Sequence, residues 1–175
     1  MRRAPHFVLI TLIALAVPIV PFVLIGELPG DRWLSAQSGS DAVFAMAGAA
    51  LLSADVLLPI PSSIVGTLVG ARVGFWPGFA AILAGLTVGQ VIAFIIARSV
   101  ARRGGEIAPA AAPATMMVFL SRPVPVLAEA AVIAAGAAQM PVHPFLKACL
   151  AGNALYALVL AANGSMLVPH ALVGP

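Results

Sequence analysis

Charge, cysteine and catalytic signatures are all scarce in this sequence. Charged residues make up 9% of its 175 residues, against about a quarter in an ordinary soluble domain. The single cysteine, Cys149, excludes an internal disulfide, and the apolar run around it favours an inert, buried thiol. The CxxC, HExxH and phosphate-binding glycine-loop patterns are absent. The sequence therefore predicts neither an enzyme nor a bound cofactor.

Histidines and basic residues give no sign of a metal or nucleic-acid ligand. His6, His143 and His170 are isolated, without a second histidine, a cysteine or a carboxylate at metal-ligand spacing. The net charge is only +3, and no basic face carries interleaved aromatic residues. Neither a metal site nor nucleic-acid binding is predicted.

Apolar residues dominate what is present. They form 62% of the chain, and the mean hydropathy is +1.09. This composition is typical of an integral membrane protein. The length suits a single all-α membrane domain with three or four spans of about 20 residues each.

The first apolar run, Phe7 to Gly26, is uncharged and follows two arginines. A signal peptide is one interpretation, with Ala14-Leu15-Ala16 as a weak cleavage-like triplet. The run continues well beyond the roughly 7–15 residues of a signal-peptide core, which favours an uncleaved first span. Residues 1–41 are therefore predicted to form an N-terminal span and a polar loop.

A short apolar segment interrupted by prolines comes next. Residues 42–54 are too few to cross a hydrocarbon core of about 30 Å, and Pro59 and Pro61 precede a second short piece that ends near Gly70. Two half-length helices around a proline break predict a re-entrant hairpin, which enters and leaves the membrane on one side. A full span from Phe75 to Ala97 follows, so residues 42–97 are predicted to form a hairpin plus a span.

The same order recurs in the second half of the chain. Residues 98–113 hold three arginines, two adjacent glycines and the stretch APAAAP, and are predicted to form a cytoplasmic loop. Residues 114–168 are predicted to form a second hairpin, broken at Pro123 and Pro125, and a last span at 145–167. PIP at 59–61 aligns with PVP at 123–125, which favours an inverted repeat. Chance similarity among segments rich in alanine, leucine and glycine is the alternative.

The positive charges predict the orientation. With the N-terminus inside, most of the basic residues fall on inner segments, which is the positive-inside bias. These inner residues are Arg2, Arg3, Arg98, Arg102, Arg103 and Lys147, and the outer ones are Arg32 and Arg72. The two hairpins would then enter from opposite faces of a bacterial cytoplasmic membrane.

Three ionisable residues lie inside the predicted hairpins. Asp55 precedes the first proline pair and, as an intramembrane carboxylate, must face a cavity, a partner or water; a helix cap nearer the interface is the alternative. Glu129 lies two turns beyond Arg122, and a carboxyl desolvated beside an arginine can hold a proton near neutral pH. A static Arg122–Glu129 ion pair is the alternative. Arg122 by itself suits a phosphate, which its guanidinium binds through two hydrogen bonds.

Two further patterns concern a helix end and helix packing. Arg98 closes the middle span, where its side chain is expected to reach the interface. Glycines recur every four residues in two runs, which predicts close helix packing. The runs are Gly66, Gly70, Gly74 and Gly78, and then Gly85 and Gly89.

The hairpin and span motifs resemble those of the DedA/VTT family of membrane proteins (SNARE-associated Golgi protein-like). The resemblance covers about Leu52 to Asn163 and rests on LLPIPSSIVGTLVG, on the span ending in Ala97-Arg98, and on RPVPVLAEAAVIAAG. It implies a carrier or scramblase for lipids, including polyprenyl phosphates, with proton coupling in some members.

The resemblance also implies roles for individual residues. Asp55 would be the acid of the first hairpin, Arg122 the arginine of the second, and Arg98 the arginine that closes the middle span. The chain departs from the family pattern where it carries Glu129 in place of a second arginine, and in the spacing around Asp55.

Together these patterns predict a lipid transporter, flippase- or scramblase-like, whose two hairpins meet near the midplane of the membrane. The predicted substrate-binding residues are Arg122, Asp55, Glu129 and Arg98, and Asp55 and Glu129 are also predicted to exchange protons. Membrane lipids and protons are the expected partners, and a homo-oligomer is compatible with the sequence. A small-solute or ion transporter on the same scaffold and a non-transporting assembly protein are the alternatives.

Overall fold

The computed structural model describes residues 40–55, 60–104, 114–121 and 125–167. Their regular structure is entirely helical, which confirms the all-α prediction for this part of the chain. The helices are α1 (Asp41–Ala54), α2 (Ser62–Val73), α3 (Phe75–Gly104), α4 (Ala114–Leu120), α5 (Pro125–Ala137) and α6 (Val142–Leu167). The predicted first span lies outside the described residues.

Two helices, α3 and α6, are long and apolar enough to cross a membrane. Their candidate spans contain 29 and 25 residues, with mean hydropathies of 2.3 and 1.7. A helix of 30 residues such as α3 is about 45 Å long, which exceeds a hydrocarbon core of about 30 Å. Both spans predicted from the sequence are therefore present as continuous helices.

The long helices extend beyond their predicted ends. α3 does not stop at Arg98 but continues to Gly104, so the loop predicted at 98–113 begins later than expected. Arginines do not interrupt helical hydrogen bonds, and Arg102 and Arg103 in the last turn interact favourably with the helix dipole. α6 begins at Val142 and includes Pro144, because a proline in the first turn breaks no helical hydrogen bond.

Pairs of shorter helices precede each long one, as predicted. The first pair is α1 and α2, with 14 and 12 residues, and the second is α4 and α5, with 7 and 13. Pro61 immediately precedes α2, and Pro125 is the first residue of α5 rather than part of the break. Proline suits that first position because its fixed backbone angle is helical and its missing N–H has no helical partner. Pro59 and Pro123 lie outside the described residues.

The open end of the first pair is held by a cap and an ion pair. Ser40 caps α1 by accepting a hydrogen bond from the Val43 N–H at 3.4 Å. Arg72, in the last turn of α2, lies 3.6 Å from the Asp41 carboxylate and covers the ring of Phe44 at 4.6 Å. The start of α1 and the end of α2 are therefore fastened together.

The helices pair in the same way in both halves of the chain. α2 packs on α6 and α5 packs on α3, so the second short helix of each pair lies on the long helix of the other half. α1 packs on α3 and α4 packs on α6, so the first short helix lies on the long helix of its own half. The second short helices are thus exchanged between the two halves, and α3 and α6 also contact each other.

Glycines allow the closest of these contacts. A Cβ added to Gly85 would lie 2.6 Å from the carbonyl oxygen of Ala49, and one added to Gly70 would lie 2.8 Å from the backbone of Ala161. Gly164 faces the carbonyl oxygen of Thr67 in the same α2–α6 seam. Gly74 is different, because it ends α2 at a φ of 86° and an added Cβ would meet nothing. Close packing by the glycine runs is thus confirmed at these contacts, but Gly74 serves the turn into α3.

Replacing Gly85 with leucine is expected to destabilise the protein by about 2–3 kcal/mol, because the side chain would push α1 away from α3. Ala84→Leu is the matched control, since Ala84 is the preceding residue on the same helix and is exposed. Thermal melting of the detergent-solubilised protein measures both. Equal melting temperatures for the two variants would contradict a tight α1–α3 seam.

Candidate functional site

A polar cavity lies where α1, α2, α3, α5 and α6 meet. The cavity has a volume of about 30 Å³, which is room for about two ordered waters. Its polar lining consists of Asp55, Ser62, Gln90, Glu129 and Tyr156, and the rest of the lining is aliphatic.

The cavity lies midway along the spanning helices. Gln90 is the sixteenth of the 30 residues of α3, and Tyr156 is the fifteenth of the 26 residues of α6. A polar group at that position lies near the bilayer centre, where a charged or polar side chain is costly unless it has a partner or faces water. Five polar residues at one depth therefore define the candidate site.

The structure brings Asp55 and Glu129 to this one cavity from opposite halves of the chain. Asp55 follows the last residue of α1, and Glu129 lies in the second turn of α5. Both side chains are half-buried, and both line the cavity. The end of α1 and the second turn of α5 thus meet at the cavity.

Arg122, the predicted phosphate ligand, lies outside the described residues. The structure describes its surroundings only as far as Ser121, in the turn that ends α4, and Pro125, which begins α5. The role of Arg122 stays a prediction from the sequence.

Arg98 supports the turn between α5 and α6. Its Nη1 donates a hydrogen bond of 2.6 Å to the carbonyl oxygen of Met140, and its guanidinium lies 5.7 Å from the ring centre of Phe94. Gln139, at a φ of 55°, completes the connection: its amide donates to the Arg98 carbonyl at 2.9 Å and accepts from Arg102 at 2.8 Å. Arg98 does not line the cavity.

A buried chain of polar side chains leads away from the cavity between α3 and α6. The Sγ of Cys149 donates to the Oε1 of Gln90 at 2.9 Å. The Nδ2 of Asn153 lies 3.4 Å from the same sulfur and donates to the Oγ1 of Thr87 at 3.1 Å. Cys149 and Asn153 are completely buried. The chain fixes the side chain of Gln90, which is the member that reaches the cavity.

Gln90, Asn153 and Tyr156 were not among the site residues predicted from the sequence. They are neutral residues that stand alone in apolar helices, so neither charge nor motif spacing marks them. A usable signal is position, because Gln90 and Asn153 are uncharged polar residues near the centre of a continuous apolar run. Cys149 is buried as expected, but it also participates in the polar chain.

The chemistry available at the site is proton exchange and hydrogen bonding. Two carboxyls, a hydroxyl, an amide and a phenol face a small space, and the cavity lining includes no lysine or arginine. Within the described ranges, no three histidine, cysteine or acidic residues come together as a metal-binding group would. The site is therefore a polar interruption in an otherwise apolar membrane-crossing interior.

Comparison with known proteins finds one family. The family model described as the VTT domain matches residues 60–166, which include α2, α3, α4, α5 and nearly all of α6. No curated protein and no solved structure matches the chain.

Proposed function

The chain belongs to the VTT domain family, and we propose that it is a membrane transporter that moves lipid phosphate headgroups across the bilayer. The observation that carries this proposal is the polar cavity at half-depth, with one carboxyl from each half of the chain. A lipid can keep its tails in the bilayer while it crosses, so only its headgroup needs a polar path. A small polar site in an apolar helical body meets that requirement.

The lateral surface of the protein suits contact with lipid tails. α3 exposes a row of large aliphatic side chains on the face away from the core, among them Val88, Ile92, Ile95 and Ile96. α6 exposes Leu155, Leu158 and Val159 in the same way.

An inverted repeat with re-entrant hairpins is part of this proposal. α1 and α2 are each about 20 Å long, which is too short to cross the hydrocarbon core. The exchange of the second short helices, α2 and α5, between the two halves supports a pseudo-twofold relation. Such repeats place a binding site at the midplane, between two half-structures that rock against each other. The N-terminus is placed inside by the arginine distribution.

Within this mechanism the ionisable residues have distinct roles. Arg122 binds the headgroup phosphate, and Asp55 and Glu129 exchange protons as the headgroup enters and leaves. Arg98 holds the turn after α5 through its hydrogen bond to the Met140 carbonyl, and a contact with the headgroup would use its other N–H groups.

The cavity must widen for transport. A phosphate group has five heavy atoms, and the present cavity holds about two waters. The tips of the hairpins therefore part during the transport cycle, and the structure corresponds to a closed state.

The direct test is headgroup movement in proteoliposomes, using a fluorescent phospholipid and a polyprenyl phosphate. Wild type should move at least one of them, and Arg122→Ala should lower the rate by about a hundredfold, because it removes a charge-dependent contact of about 3 kcal/mol with the phosphate. Asp55→Asn, which is neutral like the protonated carboxyl, should weaken the dependence of the rate on pH. Gel filtration in detergent confirms that each variant is folded. If the folded wild type moves no lipid, the proposal is wrong and a solute transporter or an assembly protein takes its place.

A further inference from the structure

We propose that Ser62 and Gln90 form a two-sided donor site for a phosphate-type oxyanion, supplied by a lipid headgroup. The inference deepens the function proposed above and rests on it for the source of the anion. The site itself rests on the burial and hydrogen bonding of these two neutral residues.

Gln90 presents donors to the cavity. Its side chain is buried, with 4% of the residue exposed, and it lines the cavity. Its Oε1 is engaged by Cys149, so the two N–H groups of Nε2 are left to face the open space. Among the residues that the structure describes, Nε2 has no hydrogen-bond partner. Buried amide groups are normally paired, so an unpaired donor at a cavity wall points to a ligand.

The polar chain behind Gln90 holds it in this orientation. Cys149 supplies a donor to the amide oxygen, and Asn153 fixes the sulfur from one turn further along α6. Thr87, one turn before Gln90 on α3, accepts from Asn153. The amide oxygen is thus held toward α6 and the amide nitrogen toward the cavity. Cys149 and Asn153 are positioning residues, not ligands.

Ser62 presents a donor from α2, a second helix that lines the cavity. It is the first residue of the 12-residue helix α2, is 4% exposed and lines the same cavity. In the described ranges its hydroxyl has no hydrogen-bond partner, and Pro61 gives this helix end no side-chain cap. The first-turn N–H groups of an uncapped helix add to the attraction for an anion.

The carboxyls make anion binding depend on protons. Asp55, Glu129 and Tyr156 are the titratable groups that line the cavity from α1, α5 and α6, and the lining residues of α2 and α3 are neutral. A phosphate beside two ionised carboxylates is repelled, whereas beside two protonated carboxyls it gains further donors. Binding should therefore strengthen as the pH falls, and each headgroup should enter together with protons.

The test is calorimetric titration of the full-length protein in dodecyl maltoside with dodecyl phosphate at pH 6 and pH 8. Wild type should bind, more tightly at the lower pH. Ser62→Ala and Gln90→Leu should each weaken binding by about tenfold, the loss expected for one hydrogen bond to a charged group. Ser63→Ala is the matched control, because Ser63 is the next residue and is exposed, and it should bind like wild type.

Two further titrations decide the class of ligand. Dodecyl trimethylammonium should not bind, and its binding in place of dodecyl phosphate would overturn an oxyanion site. Inorganic phosphate should bind more weakly than dodecyl phosphate, and equal affinity would overturn a lipid source. If Gln90→Leu is unfolded by gel filtration, Gln90→Met retains the side-chain length without the donors and replaces it.

The outcomes separate the site from the proposed function. Unchanged affinity in a folded Ser62→Ala, Gln90→Leu double variant overturns the site, even if wild type moves lipid in vesicles. Loss of dodecyl phosphate binding in that variant supports the site, even if wild type moves no lipid and the transport proposal fails.

Discussion

Glu129→Gln is expected to leave transport active and to reduce its dependence on pH. In the proposed mechanism an anionic headgroup enters the cavity when the carboxyls of Asp55 and Glu129 are neutral, so the rate should fall as the pH rises. A rate that depends on one protonated carboxyl falls by at most about tenfold per pH unit. Glutamine resembles the neutral carboxyl at every pH, so at pH 8 the variant should transport faster than wild type and only Asp55 should still contribute a pH dependence.

Lipid movement in proteoliposomes between pH 6 and pH 8 measures this profile. Asp41→Asn is the control, because Asp41 is an exposed carboxylate at the start of α1 that pairs with Arg72 outside the cavity. The control should follow the wild-type profile. A wild-type profile in Glu129→Gln would show that Glu129 is not the proton-binding group.

Cross-linking the cavity walls is expected to stop transport entirely. Leu52 on α1 and Ala128 on α5 line the same cavity and belong to different helix pairs, so a covalent link between them prevents the walls from parting. Leu52→Cys and Ala128→Cys are combined in a Cys149→Ser background, in which the serine hydroxyl replaces the thiol as donor to Gln90. A short bifunctional thiosulfonate should reduce transport to the rate of empty vesicles.

Reductant should restore the rate of the cross-linked protein, and each single-cysteine variant should keep its rate after the same treatment. Gel electrophoresis after a cut in the 105–113 segment measures the cross-linked fraction, since a link between α1 and α5 then holds the two fragments together. Full transport by a fully cross-linked sample would mean that the headgroup crosses without an opening of this cavity.

The sequence predicted the elements well because the prolines and the apolar runs determine them locally. α1, α2 and α4 begin and end within a few residues of the predicted positions, since a proline or a polar residue stands at each break. The error at Arg98 has a physical cause: charge marks the membrane boundary, but the helix continues into water as far as its backbone hydrogen bonds allow.

The candidate site was predictable only in part. Asp55 and Glu129 are noticeable in the sequence because a carboxylate in an apolar segment is costly, and each stands four residues from a proline pair. Gln90 and Ser62 were not predicted as ligands, because their significance depends on which atoms Cys149 and Pro61 leave unpaired. That information comes from packing between segments that are far apart in the sequence.

The α2–α6 seam has a consequence for how the protein is made. α2 packs on α6, the last described helix, through Gly66, Gly70 and Gly164. After α2 has been synthesised, the ribosome must therefore still produce α3, α4 and α5 before α6 follows. During that interval the small-residue face of α2 and the hydroxyl of Ser62 lack their native surroundings. The glycine face of α2 therefore stays without its partner surface until α6 is complete.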